Sequence, residues 1–367
     1  MRPAHPLCCL IVALAAGHAG AQTHTLGLVA PYGESTIAYD MNAAGQVAAV
    51  VENEDGQKRA VLYEKGVATE LVLVAGAASD AKAINASGQV VGTADNADGR
   101  SRAYVYARAT GMRELGTLGG ASSFGMDINR AGQTVGFADT TDGDSHAFLH
   151  DGTTMRDLGT LGGKMSYASG MNNVGQVVGT AAQADEFRRA FVYDGARGMV
   201  NLGTLGGRAS AAAAINDAGT IVGAAQTSRG VWHAFVYEHG TMRDLGALFL
   251  AGSSFATGIN SAGHVVGSSI IGDERRSFVW RDGKMTIHRG GRGLYLANRI
   301  TDAGQVVGAV YARTLAAATM PANAIPAATP EIDRKIVPVM VVSLLGGVVA
   351  VLWRRRYRGM TLPAMPS

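Results

Sequence analysis

The sequence predicts an all-β fold, a seven-bladed β-propeller of four-stranded repeats about 43 residues long, followed by one C-terminal transmembrane helix. Three observations predict it. One ten-residue phrase returns along the chain, the composition is rich in glycine and poor in charge, and an apolar run stands near each end.

The phrase is INASGQVVGT from Ile84, and its relatives begin at Met41, Ile128, Met171, Ile215, Ile259 and Ile300. Their turn glycines are Gly45, Gly88, Gly132, Gly175, Gly219, Gly263 and Gly304, spaced 43, 44, 43, 44, 44 and 41 residues apart. A fixed period of this length marks one supersecondary unit per repeat. Five positions before six of the Ile or Met residues stands a hydroxyl: Thr36, Ser79, Ser123, Ser166, Ser210 and Ser254. Three before stands a small residue, such as Ala81, Ala168 or Ala297. Downstream come KRAVLY, SRAYVY, SHAFLH, RRAFVY, WHAFVY and RRSFVW. A last block reads MRELGTLGG from Met112, MRDLGTLGG from Met155, MVNLGTLGG from Met199 and MRDLGALFLAG from Met242.

Each unit reads as four short strands. The first runs into an N-x-x-G turn, where asparagine bonds the turn backbone and glycine takes the φ > 0 position. The second is the QVVG segment, the third the HAF-like block, and a D-G type turn leads to the fourth. Four antiparallel strands in this period match a propeller blade; a linear β-solenoid has shorter coils. The N-terminal THTLGLVA, Thr23 to Ala30, resembles a fourth-strand block and is expected to complete the last blade, which removes an exposed edge. Where that blade needs its third strand, near Ala318, the chain reads TLAAATMPANAIPAATP, a linker-like Ala/Pro stretch.

Glycine at 50 residues suits many tight turns, and 17% charged residues is too few for a disordered chain. At the N-terminus Arg2, the apolar Leu7–Ala16 and the small residues Ala19-Gly20-Ala21 form a secretory leader. It holds both cysteines, Cys8 and Cys9, so the exported chain is expected to rely on packing without disulfides. At the C-terminus, IVPVMVVSLLGGVVAVLW runs from Ile336 to Trp353 and is followed by RRRYR. Eighteen residues at about 1.5 Å each reach about 27 Å, enough for a bilayer core. The arginines place the tail in the cytoplasm. The expected organisation is leader 1–21, repeats 22–313, linker 314–335, membrane helix 336–353 and basic tail 354–367. The formal +3 includes Arg2 and the four tail arginines, which leaves the part between at −2. That balance, with no basic stripe interleaved with aromatics, excludes a nucleic-acid surface.

The joint pattern of GQVVG, HAFLH or HAFVY, and MRDLGTLGG resembles the HAF-type extracellular repeat family of secreted or surface-associated bacterial proteins, over Thr23 to Ala312. The resemblance implies an exported bacterial protein and brings no catalytic residues. The tail resembles a PEP-type sorting signal, but Thr329-Pro330-Glu331 is followed by Ile332 and nine residues extend beyond Arg358, so a retained anchor is expected.

Candidate chemistry falls into three sets. A basic residue opens each third strand (Arg59, Arg102, His146, Arg189, His233, Arg276), with Glu114, Asp157, Asn201 and Asp244 on fourth strands. Recurrence in nearly every unit favours strand-pinning, for example by Ser123, His146 and Asp157 within one blade, over an anion-binding ring. Acidic loops (Glu52, Glu54, Asp55; Asp95, Asp98; Asp139, Asp142, Asp144) carry oxygen ligands without EF-hand spacing and read as turns. Departures from the repeat form the third set: Trp232, Phe187 and Tyr167, with Leu248, Phe249 and Leu250 where ALFL replaces TLGG. Packing against the neighbouring blade is the first expectation for them, and Trp232, Leu248, Phe249 and Leu250 are the candidates for a binding surface. No nucleophile elbow, metalloprotease helix or P-loop motif occurs, and neither a metal nor a cofactor is expected. The expectation is a non-enzymatic binding or surface scaffold in the bacterial envelope, anchored through 336–353, whose partner is an envelope protein or polysaccharide; a glycan- or lactone-cleaving channel enzyme is the alternative.

Overall fold

A computed structural model describes residues 9–14, 23–28, 35–52, 56–75, 77–272, 274–287 and 294–310. Among them the chain is all-β. Six antiparallel sheets have four strands each, in simple meander order. Blade 1 comprises Ser35–Met41, Val47–Glu52, Lys58–Glu64 and Val67–Leu71. Blades 2 to 6 follow over residues 79–114, 119–157, 162–201, 206–244 and 253–287. The seventh unit contributes a two-stranded hairpin, Leu294–Ile300 with Val306–Val310. Thr23–Leu28 pairs with Cys9–Leu14. Cys9–Leu14 lies against Val306–Val310 of the hairpin. The stretch near Ala318, the rest of the linker, the apolar run 336–353 and the basic tail lie outside the described residues. No helix among the described residues is long and apolar enough to cross a membrane.

Successive sheets pack face to face. The core between blades 3 and 4 joins Val135, Ala147 and Leu158 of one to Ala168, Met171, Val177, Ala181 and Phe191 of the next. In blades 2 to 6 the aromatic of the HAF-like block is the anchor: Tyr104, Phe148, Phe191, Phe235 and Phe278 are fully buried, and blade 1 has Val61 in that place. Burying a ring of that size removes enough apolar surface to contribute about 2 kcal/mol or more.

Hydrogen bonds tie the blades in a fixed direction. The recurrent serine of each first strand accepts from the preceding blade: Ala60 N to Ser79 Oγ, Ala103 N to Ser123, Ala147 N to Ser166, Ala190 N to Ser210 and Ala234 N to Ser254. The serine then donates back, as Ser166 Oγ does to Gly159 O at 2.5 Å. The serine therefore joins neighbouring blades and does not complete a set within its own. The turn asparagine also works twice. Its Oδ1 caps the turn, as Asn172 does for Gln176 N at 2.9 Å, and its Nδ2 donates to the next blade's turn carbonyl. That ladder runs Asn42→Asn85→Asn129→Asn172→Asn216→Asn260→Thr301. Asn298 Nδ2 then reaches Ala38 O at 2.7 Å, which joins the hairpin to blade 1.

Every first strand also carries a β-bulge just before its Ile or Met. In blade 1 the register passes from Ala38↔Ala49 to Asp40↔Ala48, and blade 4 skips likewise between Ala168 and Gly170. The bulge drives the first-strand carbonyl toward the second strand. A Cβ on Gly179 would lie 2.0 Å from Tyr167 O, so the last glycine of GQVVG is required by that close approach.

Two outcomes follow for stability. Gly179→Ala forces the two inner strands of blade 4 apart and is expected to cost more than about 3 kcal/mol, read as a lowered urea midpoint. Ser166→Ala orphans the buried Ala147 N and is expected to cost about 1–3 kcal/mol. Equal midpoints for Ser166→Ala and wild type would refute the interblade role.

Candidate functional site

The bulge sends some side chains toward the centre of the ring and others, such as Ala83 and Ala214, into the cores between blades. Its two residues are Tyr39-Asp40 in blade 1, Lys82-Ala83 in blade 2, Met126-Asp127 in blade 3, Ser169-Gly170 in blade 4, Ala213-Ala214 in blade 5 and Thr257-Gly258 in blade 6, with Asn298-Arg299 in the hairpin. An extra residue in a strand re-aims the side chains beside it, a device that recurs near functional sites. Blades 4 to 6 fill these positions with small residues, whereas blades 1 to 3 and the hairpin supply two acids and two bases.

Arg299 is the hub. Its Nη2 lies 2.9 Å from Asp127 Oδ1 and its Nε lies 4.0 Å from Asp40 Oδ1. The hairpin lies beside blade 1 and not beside blade 3, so the pair with Asp127 spans the channel. Each acid is also held by backbone donors from two blades. Asp40 accepts Met41 N at 2.9 Å and Ile84 N at 3.0 Å; Asp127 accepts Ile128 N at 3.0 Å and Met171 N at 2.9 Å. Gly170 stands next to this carboxylate and close against blade 5, where a Cβ would approach Ala213 O to 3.2 Å. A second pair lies next to this one. Lys82 Nζ stands 3.3 Å from Asp80 Oδ2 and 4.0 Å from the centre of the Tyr39 ring. Tyr104 Oη donates to Asp80 O at 2.8 Å.

Burial sets the electrostatics. It raises the Asp40 carboxyl from 3.8 to about 6, against the opposing pull of Arg299 and the two amides. Burial works against the Lys82 charge, but the Asp80 carboxylate and Tyr39 outweigh it and hold the ammonium above its ordinary range. Burial also raises the Tyr104 phenol well above 10.0. Arg299 stays charged, stabilised most by Asp127.

The sequence-derived sets sit elsewhere. His146 Nδ1 meets Asp157 Oδ2 at 2.8 Å, and His233 Nδ1 meets Asp244 Oδ2 at 2.8 Å. Arg59 meets Glu70 at 3.5 Å and Arg102 meets Glu114 at 3.7 Å. These are strand-to-strand ties within blades. Arg59, Arg102 and Arg189 also donate onward, to the carbonyls of Ala77, Ala121 and Arg208 at the start of the next blade, and Arg189 differs only in its acid, Asp185 at 4.0 Å. Asp95 and Asp139 accept from the loop hydroxyls of Ser101 and Ser145, and Glu54 and Asp55 lie outside the described residues. No group of three potential metal ligands occurs among the described residues. Trp232 stacks on Phe255 of blade 6 at 6.3 Å. Leu248 packs partly buried against the core between blades 5 and 6, Phe249 is half-buried, and Leu250 is fully exposed.

Sequence reasoning missed the channel cluster. The signal was available in the residue just before each Ile or Met, which varies as Asp40, Ala83, Asp127, Gly170, Ala214, Gly258 and Arg299 where its neighbours recur.

Sheets stacked around a channel, with the last unit bonded to the first, define a β-propeller. No family model matches the sequence, and no curated protein does. Among solved structures, the chain is similar to a puromycin hydrolase at 15% identity and TM-score 0.51, covering 77% of this chain and 53% of that one. It is also similar to a putative TolB from Agrobacterium tumefaciens (11% identity, TM-score 0.48, 82% of this chain and 97% of that one). A TolB from Acinetobacter baumannii matches at 15% identity and TM-score 0.44, over 70% of this chain and 65% of that one. The chain thus spans about half the hydrolase's length, and the likeness is one of fold.

The raised Asp40 value has a definite sign. The folded state holds this proton more tightly than the unfolded chain, so its stabilising contribution is full below about pH 3.8 and is lost as pH rises through about 6. A shift near two units corresponds to about 3 kcal/mol. Urea midpoints of the wild type, relative to Asp40→Asn, are expected to fall between pH 4 and 7.5; parallel profiles would refute the assignment. Arg299→Met leaves Asp127 without its cation and is expected to cost about 3 kcal/mol, whereas the exposed Arg243→Met is expected to cost less than about 1 kcal/mol.

Proposed function

We propose that this protein is an exported, seven-bladed propeller held in the membrane by residues 336–353, acting as a non-enzymatic binding or surface scaffold of the bacterial envelope. One observation carries the non-enzymatic reading. The acids and bases of the channel neutralise one another, and their oxygens accept bonds from the backbone. Arg299 is committed to Asp127, Lys82 to Asp80, and Asp40 to two amides. Groups so engaged hold a ring together and present little unfilled capacity to a substrate. The leader, the Ala/Pro linker and the apolar run ending in arginines support export and anchoring. The partner is an envelope polysaccharide or protein, met by the residues that depart from the repeat.

The runner-up is a channel-mouth hydrolase or lyase, favoured by two carboxylates in unlike environments, Asp40 raised by burial and Asp127 paired with Arg299. One assay separates the two. The purified full chain, incubated with a panel of envelope polysaccharides and lactones, is expected to retain one of them unchanged in mass. Turnover that disappears in Asp40→Asn would establish the enzyme instead. For topology, a phosphatase fused after Ser367 is expected to be inactive and one near Ala324 active; the reverse pattern would overturn the orientation.

A further inference from the structure

The two mouths of the ring differ in chemistry. In each blade the first strand starts at one mouth and the second ends there. Connections between blades and the loops between second and third strands gather at that mouth. The N-x-x-G turns and the turns before fourth strands gather at the other. Seven large apolar side chains are exposed among the described residues. By this topology Val67 and Val174 lie at the turn mouth, whereas Val72, Phe187, Leu250, Ile271 and Ile287 lie at the connection mouth.

Within the connection mouth, blades 4 to 6 form a distinct sector. Leu250 is the most exposed of these side chains, at 110%, and sits in the ALFLAG insertion that only this repeat carries. The next strand pair begins at once, Ser253 opposite Ile270, which brings Ile271 to the same corner. Phe187 stands beneath the exposed guanidinium of Arg208 at 5.3 Å, and Arg229 is exposed on the loop before Trp232. Blades 2 and 3 instead carry acidic loops at this mouth, with Asp98, Asp142 and Asp144 exposed or half-exposed. The sector thus sets its apolar tips among exposed Arg208, Arg229 and Arg276, with Asp185 and Glu186 as its exposed acids among the described residues, whereas the opposite side is mainly acidic. The chain leaves the described residues here as well. Val310 ends the hairpin's second strand at the connection mouth, in the unit next to blade 6, with 25 residues before the apolar run at Ile336.

We propose that this sector rests on the bilayer surface, with Leu250 and Ile271 entering the boundary between headgroups and acyl chains and Arg208 and Arg229 meeting anionic phospholipid headgroups. The inference rests on the anchored reading above. Apolar side chains flanked by arginine suit that boundary, where both the buried area and the anionic charge contribute to binding. A soluble polysaccharide would use the arginines but gain little from an aliphatic tip such as Leu250.

The test uses the full chain with Cys8 and Cys9 replaced by serine, reconstituted in vesicles of phosphatidylethanolamine and phosphatidylglycerol. A single cysteine is placed by Leu250→Cys or, at the turn mouth, by Val174→Cys, and labelled with an environment-sensitive fluorophore. At position 250 quenching by doxyl-labelled lipid is expected to exceed that at 174 at least about threefold, with matching protection from iodide. Equal iodide quenching at both positions would overturn the inference, and so would protection at 250 without lipid quenching, which would indicate a protein or glycan cover. Alkaline washing separates the anchor: if the chain washes off, the anchor fails and this inference with it. If it stays and the label at 250 is aqueous, the inference fails alone.

Discussion

The structure depends on one repeated irregularity, the bulge in each innermost strand. By inserting a residue before the Ile or Met, it presses the strand against its partner and turns two side chains out of the regular alternation. The close approach explains why glycine fills the second strand at Gly136, Gly179 and Gly223, where a Cβ would meet a carbonyl at about 2 Å. The freed side chains then stitch the ring: Ser169 donates to Ala212 O, Thr257 to Ala297 O and Asn298 to Ala38 O. Packing between blades is apolar and local, so these polar bonds decide how each blade is rotated on the next. A distortion serves as the joint.

The same joint gives the channel its asymmetry. Small bulge residues in blades 4 to 6 leave space, which the long Arg299 side chain crosses to reach Asp127. The ion pair is half-dry, and its worth depends on complete satisfaction of both partners. Asp40 shows the opposing tendency. It lies near the same cation, but burial dominates and its proton is held more firmly than in water. Two acids on equivalent positions thus stand in different surroundings: Asp127 meets the guanidinium at 2.9 Å and Asp40 at 4.0 Å.

Much of the fold was legible in the sequence because period and turn chemistry are local. The spacing of Gly45, Gly88 and their successors, each with positive φ, follows from a hairpin that needs glycine there. The HAF-like aromatic, the DLG leucine and the basic-acidic ties of His146 and His233 also recur, and recurrence reveals them. The partner of each serine was not legible: in sequence Ser166 stands between Ala147 of the preceding blade and Arg189 of its own, and only the packing shows that it bonds the former. The channel cluster escaped for the opposite reason. Asp40, Asp127 and Arg299 share a position but not a chemistry, so a consensus erases them. Leu250 was legible as a departure; that it stands at the mouth from which the chain leaves required the topology.

The asparagine ladder has a direction and therefore two ends. Each side chain from Asn42 to Asn260 gives a hydrogen to the following unit, but Thr301 has no amide to pass on, and a different residue, Asn298, makes the last connection. That closing bond is not peculiar to the last junction: Ser169 makes it to Ala212 O and Thr257 to Ala297 O, from the same position beside the bulge. Six junctions carry the asparagine ladder, and among the described residues the seventh carries this second stitch in its place. Two kinds of link drawn from neighbouring positions thus cover for one another, so the circle closes although its last unit ends the ladder in threonine.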